Sequence, residues 1–245
     1  MLKLSTGDVY EGDFLRGLRH GTGVMKYFDY SGIQCIIYEG DWEKDLRHGY
    51  GHFKSSDSNE FSGQWIQGNQ HYGMFSGAKG HKYMGFWNGY LMNYQGIYYD
   101  PKGKMYKGNF DNGKFKGEGE LKDDQKVVVG HFEKNQMNKE GRIEKKTYVY
   151  EGEIIRDKPH GWGVKKFKNG DVYRGYFKNG KEQGEGELRY KNGAVYSGAF
   201  LKGEPNGKGM IIHANSDKYE GGFEKGKKNG QGKLFYVNPE EVHKT

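Results

Sequence analysis

The stretch Tyr10-Glu11-Gly12-Asp13-Phe14, followed by His20-Gly21-Thr22-Gly23, decides the fold. It reads aromatic-x-Gly-x-aromatic, then Gly-x-Gly. The phrase returns as Tyr173-Arg174-Gly175-Tyr176-Phe177 with Gly184-Glu185-Gly186. Its leading position falls at Tyr10, Tyr38, Phe61, Tyr83, Tyr106, Val128, Tyr150, Tyr173, Tyr196 and Tyr219. After a first gap of 28 residues every spacing is 22 or 23. A fixed period of this size marks an array of small units, each too small to bury a core alone.

Ten copies fill residues 10–236. Residues 1–9 read as an N-terminal edge strand or cap, and 237–245 as a C-terminal tail, with no linker or second domain between. The extra residues from Phe28 to Ile37 read as a longer loop in the first connection. Three copies depart from the pattern. The sixth has Val128 in the lead and Lys139 in place of a glycine, the fourth has Tyr94 at that glycine position, and the third is one residue short. Such copies are read either as a bend, weak joint or docking point, or as ordinary drift.

Each copy holds two segments of period 2. Tyr10, Gly12 and Phe14 share one face, and Gly21, Gly23, Met25 and Tyr27 share a face of the second segment. Asn112-Gly113 and Asn179-Gly180 supply the positive φ of tight hairpin turns. Asn206-Gly207 and Asn229-Gly230 are placed in the same inner connection, as are Pro159 and Pro205, where no ladder N–H is needed. Asn169-Gly170 and Asn192-Gly193 separate one unit from the next. Glycine inside a strand is costly unless something covers it, so an aromatic ring from one strand is expected over the glycine of its neighbour. The predicted fold is all-β: an elongated, twisted, single-layer antiparallel array of about ten hairpins. At about 4.8 Å per strand it would span roughly 100 Å. The only helical pattern falls in the tail from Pro239.

Composition agrees. The chain carries 42 glycines and 4 prolines in 245 residues, yet 16% are aromatic, and disordered segments are poor in aromatics. The apolar runs Ile36-Ile37-Tyr38 and Val127-Val128-Val129 are far short of the ~18 residues of a membrane-spanning helix. One cysteine, Cys35, rules out an intrachain disulfide framework and suits a reducing, cytoplasmic compartment. The net charge of +7, from 39 basic against 32 acidic residues, has its cations interleaved with carboxylates, which reads as a solubilising surface.

These residues resemble the MORN repeat (membrane occupation and recognition nexus), approximately Y-E-G-x-W-x-x-G-x-x-H-G-x-G. Tyr38-Glu39-Gly40-Asp41-Trp42 with Arg47-His48-Gly49-Tyr50-Gly51 matches closely, as does Tyr150-Glu151-Gly152 with His160-Gly161-Trp162-Gly163. The resemblance implies hairpins with a groove that holds partner segments. It also implies structural roles in cilia, flagella, division rings and membrane–cytoskeleton junctions.

Repetition accounts for several look-alikes of chemistry. Gly108 to Lys114, Gly175 to Lys181 and Gly221 to Lys227 spell G-x4-G-K, but Phe115, Glu182 or Lys228 follows where a Mg²⁺ site needs Ser or Thr. His20, His48, His71 and His160 share a slot that holds Asn93, Lys116, Asn138, Gln183, Asn206 and Asn229 elsewhere, so it reads as a polar turn position. A metal needs its ligands about 2 Å from one centre, and this spacing puts them near 10 Å apart. No catalytic constellation, cofactor or metal is expected, and nothing marks a nucleic-acid groove.

The expected function is a non-enzymatic scaffold binding a helix or extended peptide, in a ciliary axoneme, flagellum or cortical cytoskeleton. The alternative is a peripheral scaffold on anionic phospholipid. Contact candidates are the aromatics Tyr38, Trp42, Phe61, Trp65, Tyr83 and Trp87, which the packing argument also places in the seam. Between them Glu39, Asp41, Gln64 and Phe86, with Ser62 and Met84, face the other way and vary in type. Open strands at the ends suggest end-to-end homo-oligomers, with Asn238-Pro239-Glu240-Glu241 stopping strand growth at one end.

Overall fold

A computed structural model of the chain describes residues 2–237. Its contacts divide it into two compact units, Met1–Asp123 and Asp124–Thr245. The first unit opens with β1 (Leu2–Lys3) and continues with five hairpins: β2 (Val9–Leu15) and β3 (Leu18–Phe28), β4 (Gln34–Glu43) and β5 (Leu46–Ser55), β6 (Glu60–Ile66) and β7 (Asn69–Ser76), β8 (Lys82–Asn88) and β9 (Leu91–Tyr99), β10 (Met105–Asp111) and β11 (Lys114–Lys122). The second holds β12 (Lys126–Glu133) and β13 (Gln136–Lys145), β14 (Tyr148–Ile155) and β15 (Lys158–Phe167), β16 (Val172–Lys178) and β17 (Lys181–Arg189), β18 (Val195–Leu201) and β19 (Glu204–Ile212), β20 (Lys218–Glu224) and β21 (Lys227–Phe235). Within each unit consecutive strands pair antiparallel, and no helix occurs among the described residues. The tail positions Asn238 to Glu241, and the helical pattern from Pro239, lie outside the described residues.

Two-residue turns close the hairpins. Asn112 and Gly113 have φ of 48° and 78°, and Asn179 and Gly180 have 53° and 88°. These values match the right-handed twist of the flanking strands. The Asn-Gly pairs at 206–207 and 229–230 are not turns. They lie inside β19 and β21, because those strands begin earlier, at Glu204 and Lys227. Pro159 and Pro205 are likewise strand residues, opposite Ile154 and Phe200. The extra residues at 28–37 mostly lengthen β3 and β4, leaving only 29–33 as loop.

Each regular hairpin carries a bulge. Gly12 faces Gly23, but Phe14 already faces Arg19, so Asp13 stands against three residues on β3. The histidine slot is therefore a bulge position within the strand, not a turn. Gly21 adopts φ of 63° there, and any side chain on it would run into the Asp13 carboxylate. That carboxylate accepts the Thr22 N–H at 3.0 Å. Asp41 accepts from Tyr50 N–H at 2.8 Å, and Glu153 from Trp162 N–H at 3.0 Å.

The glycine–aromatic seam has the expected form. A Cβ on Gly23 would overlap the Tyr10 ring, which also lies over Gly12; Tyr173 covers Gly175 and Gly186 in the same way. The tyrosine hydroxyl adds a contact beyond apolar cover. It donates to the carbonyl three residues on, from Tyr10 to Asp13 at 3.1 Å, Tyr83 to Phe86 at 2.8 Å and Tyr173 to Tyr176 at 3.0 Å. Phe61, which lacks the hydroxyl, leads the hairpin whose bulge is a residue smaller. In the sixth copy Val128 leaves the ring's place empty, and the Met137 methyl fills it, lying over Gly130 and Gly141. Within each unit these rings also meet the next copy edge-on, as Tyr10 with Trp42 at 5.3 Å, Tyr38 with Trp65 at 5.2 Å, and Tyr173 with Phe200 at 4.7 Å. Burial of each ring contributes roughly 1.5–3 kcal/mol. Each edge-to-face pair adds about 0.5–1.5 kcal/mol.

Candidate partner-binding cleft

One position in each hairpin faces the strand-end aromatic and covers the seam. In the first unit it holds Arg19, Arg47, Gln70, Met92 and Phe115. Arg19 stacks on Trp42 at 4.4 Å and pairs with Asp45 at 3.0 Å. Hydrogen bonding from the Arg19 backbone N–H, helped by its guanidinium, holds the Asp45 carboxyl below the usual range. Arg47 stacks on Trp65 at 4.2 Å and donates to the Gly68 carbonyl at 3.0 Å. Phe115 stacks flat on Tyr106 at 3.7 Å. Between these ends the surface opens into a cleft beside the buried Gln70 and the half-buried Met92.

The opening is a cleft of about 860 Å³ on the aromatic face of the third and fourth hairpins, within the usual size range of ligand clefts. Phe53, Trp65, Phe75, Trp87, Leu91 and Met92 line it, and Gly77 and Ala78 in the β7–β8 turn bring little side chain over it. Its polar lining is Arg47, Lys79, His81 and Lys82 with Asp57, Asn59 and Ser55. The Trp87 indole N–H is buried with no acceptor among the described residues. Trp42 and Trp65, by contrast, donate to Gly23 at 3.2 Å and Gly51 at 3.3 Å. Trp87 belongs to the copy that follows the shortened hairpin.

The opposite face of the same unit bears a shallower depression of about 610 Å³, lined by Tyr72, Met84, Phe86, Ile97, Lys107 and Glu118 among others. Tyr72 and Phe86 rings lie 4.9 Å apart there.

The residues read from the sequence as contact candidates fall into two groups. Tyr38, Trp42, Phe61, Trp65, Tyr83 and Trp87 are all buried in the seam, and the last three of the chain order, Trp65, Tyr83 and Trp87, also border the cleft. Burial pushes the Tyr38 and Tyr83 hydroxyls well above their ordinary pKa. Of the intervening residues, Glu39 is exposed and Phe86 lines the opposite depression. Gln64 donates to the Tyr50 hydroxyl at 3.1 Å. The Asp41 carboxylate is engaged in the bulge, where it accepts from the Tyr50 N–H. Arg47, Lys79, His81, Lys82 and Met92 were missed by sequence reasoning. Aligning the copies at the seam-covering position would have shown Arg, Arg, Gln, Met in succession.

In the second unit the same position holds Met137, Pro159, Glu182, Pro205 and Lys228. Glu182 pairs with Lys165 at 2.8 Å, both side chains about nine-tenths buried, and Lys165 lies over Tyr148 and Phe167 at 4.5 and 4.7 Å. No group of three or more His, Cys, Asp or Glu among the described residues is placed to hold a metal. Cys35 is half-buried, its thiol donating to the Tyr27 carbonyl at 3.5 Å.

The MORN repeat pattern matches residues 10–32, 38–60, 106–126, 150–172, 173–195, 196–218 and 219–238, more than half of the chain. The chain belongs to the MORN-repeat family. Among MORN-containing relatives, Alsin of Mus musculus and of Homo sapiens is 33% identical over 108 residues. That stretch is 43% of this chain and 5% of Alsin, so the chain matches only a small part of those proteins. A solved structure, the wild-type TCP10 domain of Danio rerio CPAP in complex with a peptide of Danio rerio STIL, aligns over 93% of this chain and 97% of its own. Its identity is 12% and its TM-score 0.49. The matched MORN segments leave out residues 61–105, and the cleft lies chiefly over those two departing hairpins.

Proposed function

We propose that this MORN array is a non-enzymatic scaffold that seats a segment of a partner protein, helical or extended, on the aromatic face of its first unit. One observation carries the reading: between Arg47, stacked on Trp65, and Phe115, stacked on Tyr106, a cleft lined by Phe53, Phe75, Leu91 and Met92 opens on the aromatic face. A repeat array uses such a face because side chains there vary while the glycines and aromatics that build the hairpin stay fixed. The setting proposed is a ciliary axoneme, flagellum or cortical cytoskeleton. Cross-linking in the native assembly tests both parts. Cross-links from Lys79 and Lys82 to one partner support the seat, and cross-links confined to the opposite face or to the second unit reject it. The alternative, a scaffold on anionic phospholipid, rests on the +7 charge. Co-sedimentation with phosphatidylserine vesicles that weakens with salt would favour it.

A further inference from the structure

The cleft and the depression behind it differ in charge. The cleft lining holds three permanent cations, Arg47, Lys79 and Lys82, against one carboxylate, Asp57. The opposite depression holds Lys107 against Glu118 and Glu120. Within the cleft the carboxylate is already engaged, accepting from the Ser55 hydroxyl and from the Asn59 amide at 2.7 Å. Arg47 donates one N–H to the Gly68 carbonyl and lies over Trp65, with no carboxylate paired to it among the described residues. Lys79 and Lys82 are exposed and have no ion-pair partner among the described residues. Both lysines line the cleft together with Phe75, Leu91 and Met92. In the second unit a cation over the aromatic face is answered from within. There Lys165 has Glu182 at 2.8 Å over a comparable aromatic floor.

Resting on the reading of the cleft as a partner seat, we propose that its occupant is an acidic peptide segment that places aromatic or large aliphatic side chains on the Phe75–Leu91–Met92 floor and carboxylates against Lys79, Lys82 and Arg47. The floor supplies the affinity through apolar burial. The cations supply selectivity and rate, since rim charges act chiefly on encounter and on the rejection of like-charged partners. A basic or neutral segment gains the same floor but meets the cations unpaired. The charge term is exposed and therefore salt-sensitive, with a screening length of about 8 Å at physiological ionic strength.

The test is selection of a displayed library of random peptides on the full chain, repeated on the Lys79→Glu/Lys82→Glu variant. Lys79 lies in the β7–β8 connection and Lys82 opens β8, both exposed, and a thermal melt confirms that the variant folds. From the native chain the selected peptides are acidic and carry Trp, Phe or Leu. Their binding, read by tryptophan emission, weakens about tenfold in the variant and at high salt. From the variant, the selection loses its acidic bias. Selected peptides of neutral or basic character that bind both proteins equally overturn the acidic assignment and leave the partner-seat reading standing. No enrichment at all, or enrichment indifferent to Met92→Lys on the cleft floor, overturns both. Phosphatidylserine vesicles that bind where no peptide does overturn both in favour of a lipid surface.

Discussion

At the scale of the residue, the seam depends on a fit between a missing side chain and a large one. Gly186 has the Tyr173 ring where its Cβ would stand, and the Tyr173 hydroxyl holds the bulge carbonyl of Tyr176. The two halves of this arrangement separate experimentally. Tyr173→Phe keeps the ring and loses one hydrogen bond, an expected cost of about 1 kcal/mol. Gly186→Ala forces a methyl into the ring, an expected cost of roughly 1–3 kcal/mol through displaced packing. Chemical denaturation of the two variants checks the order. An alanine variant as stable as the phenylalanine one would show that the ring does not need the bare backbone. The sixth copy solves the same problem with other atoms. Its lead Val128 looked like a defect in the sequence, yet Met137, nine residues on and on the paired strand, lays its flexible methyl over both glycines. Methionine's unbranched chain suits such irregular gaps. That compensation was not legible, because nothing in a linear pattern says which distant side chain will reach a vacated site.

At the scale of the element, turns and bulges set the register. The connections between hairpins mostly place glycine at the positive-φ position, as at Gly32, Gly103 and Gly193, but the last holds Ser216 at φ of 70°. A non-glycine residue there costs about 1–2 kcal/mol. Ser216→Gly keeps the Ser216 N–H bond to the His213 carbonyl and is expected to stabilise the chain by about 1 kcal/mol, read as a raised melting temperature. A lowered one would mean that the serine hydroxyl contributes more than its backbone strain costs. The Lys165–Glu182 pair behaves in the opposite sense. Removing one partner by Glu182→Gln leaves a buried ammonium unanswered, with an expected loss of about 3–5 kcal/mol. The double change Lys165→Met with Glu182→Leu removes both charges and is expected near wild-type stability. A double variant as damaged as the single one would show that the cation's contacts with Tyr148 and Phe167, and not charge pairing, hold that site. Hairpin turns were legible in the sequence from Asn-Gly pairs such as Asn112-Gly113. The Asn206-Gly207 and Asn229-Gly230 pairs were misassigned because a three-against-one bulge needs the same positive φ as a turn, and the local signal does not distinguish them.

At the scale of the whole molecule, the repeated tyrosines couple the fold to alkaline pH. Burial raises the hydroxyl pKa of Tyr38, Tyr83, Tyr150 and Tyr173, and pushes those of Tyr106 and Tyr196 up to about 12. A raised folded-state value means that the folded chain holds these protons more tightly than the unfolded one, whose tyrosines ionise near pH 10. Their contribution is therefore complete below about pH 10 and is lost as pH climbs from there through the folded values. Denaturation midpoints are expected to hold steady to about pH 9.5 and then fall steeply. Tyrosinate absorbance should appear together with unfolding. Independent ionisation near pH 10 with the β-sheet intact would show that the rings are open to solvent.

The sequence by itself determined the family, the all-β hairpin class, the period and the partnership of glycine with aromatic. All of these follow from local chemistry repeated at a fixed interval, and repetition makes weak local signals add. Only the tertiary structure decided where the seam is covered and where it is open. Arg47, Gln70 and Met92 look like unremarkable strand residues until pairing sets each against the aromatic of the facing strand. Lys79, in a connection with no repeat signature, becomes part of a site only because the next hairpin folds its floor beneath it. Register and packing across strands create the cleft, and neither is written in any single copy.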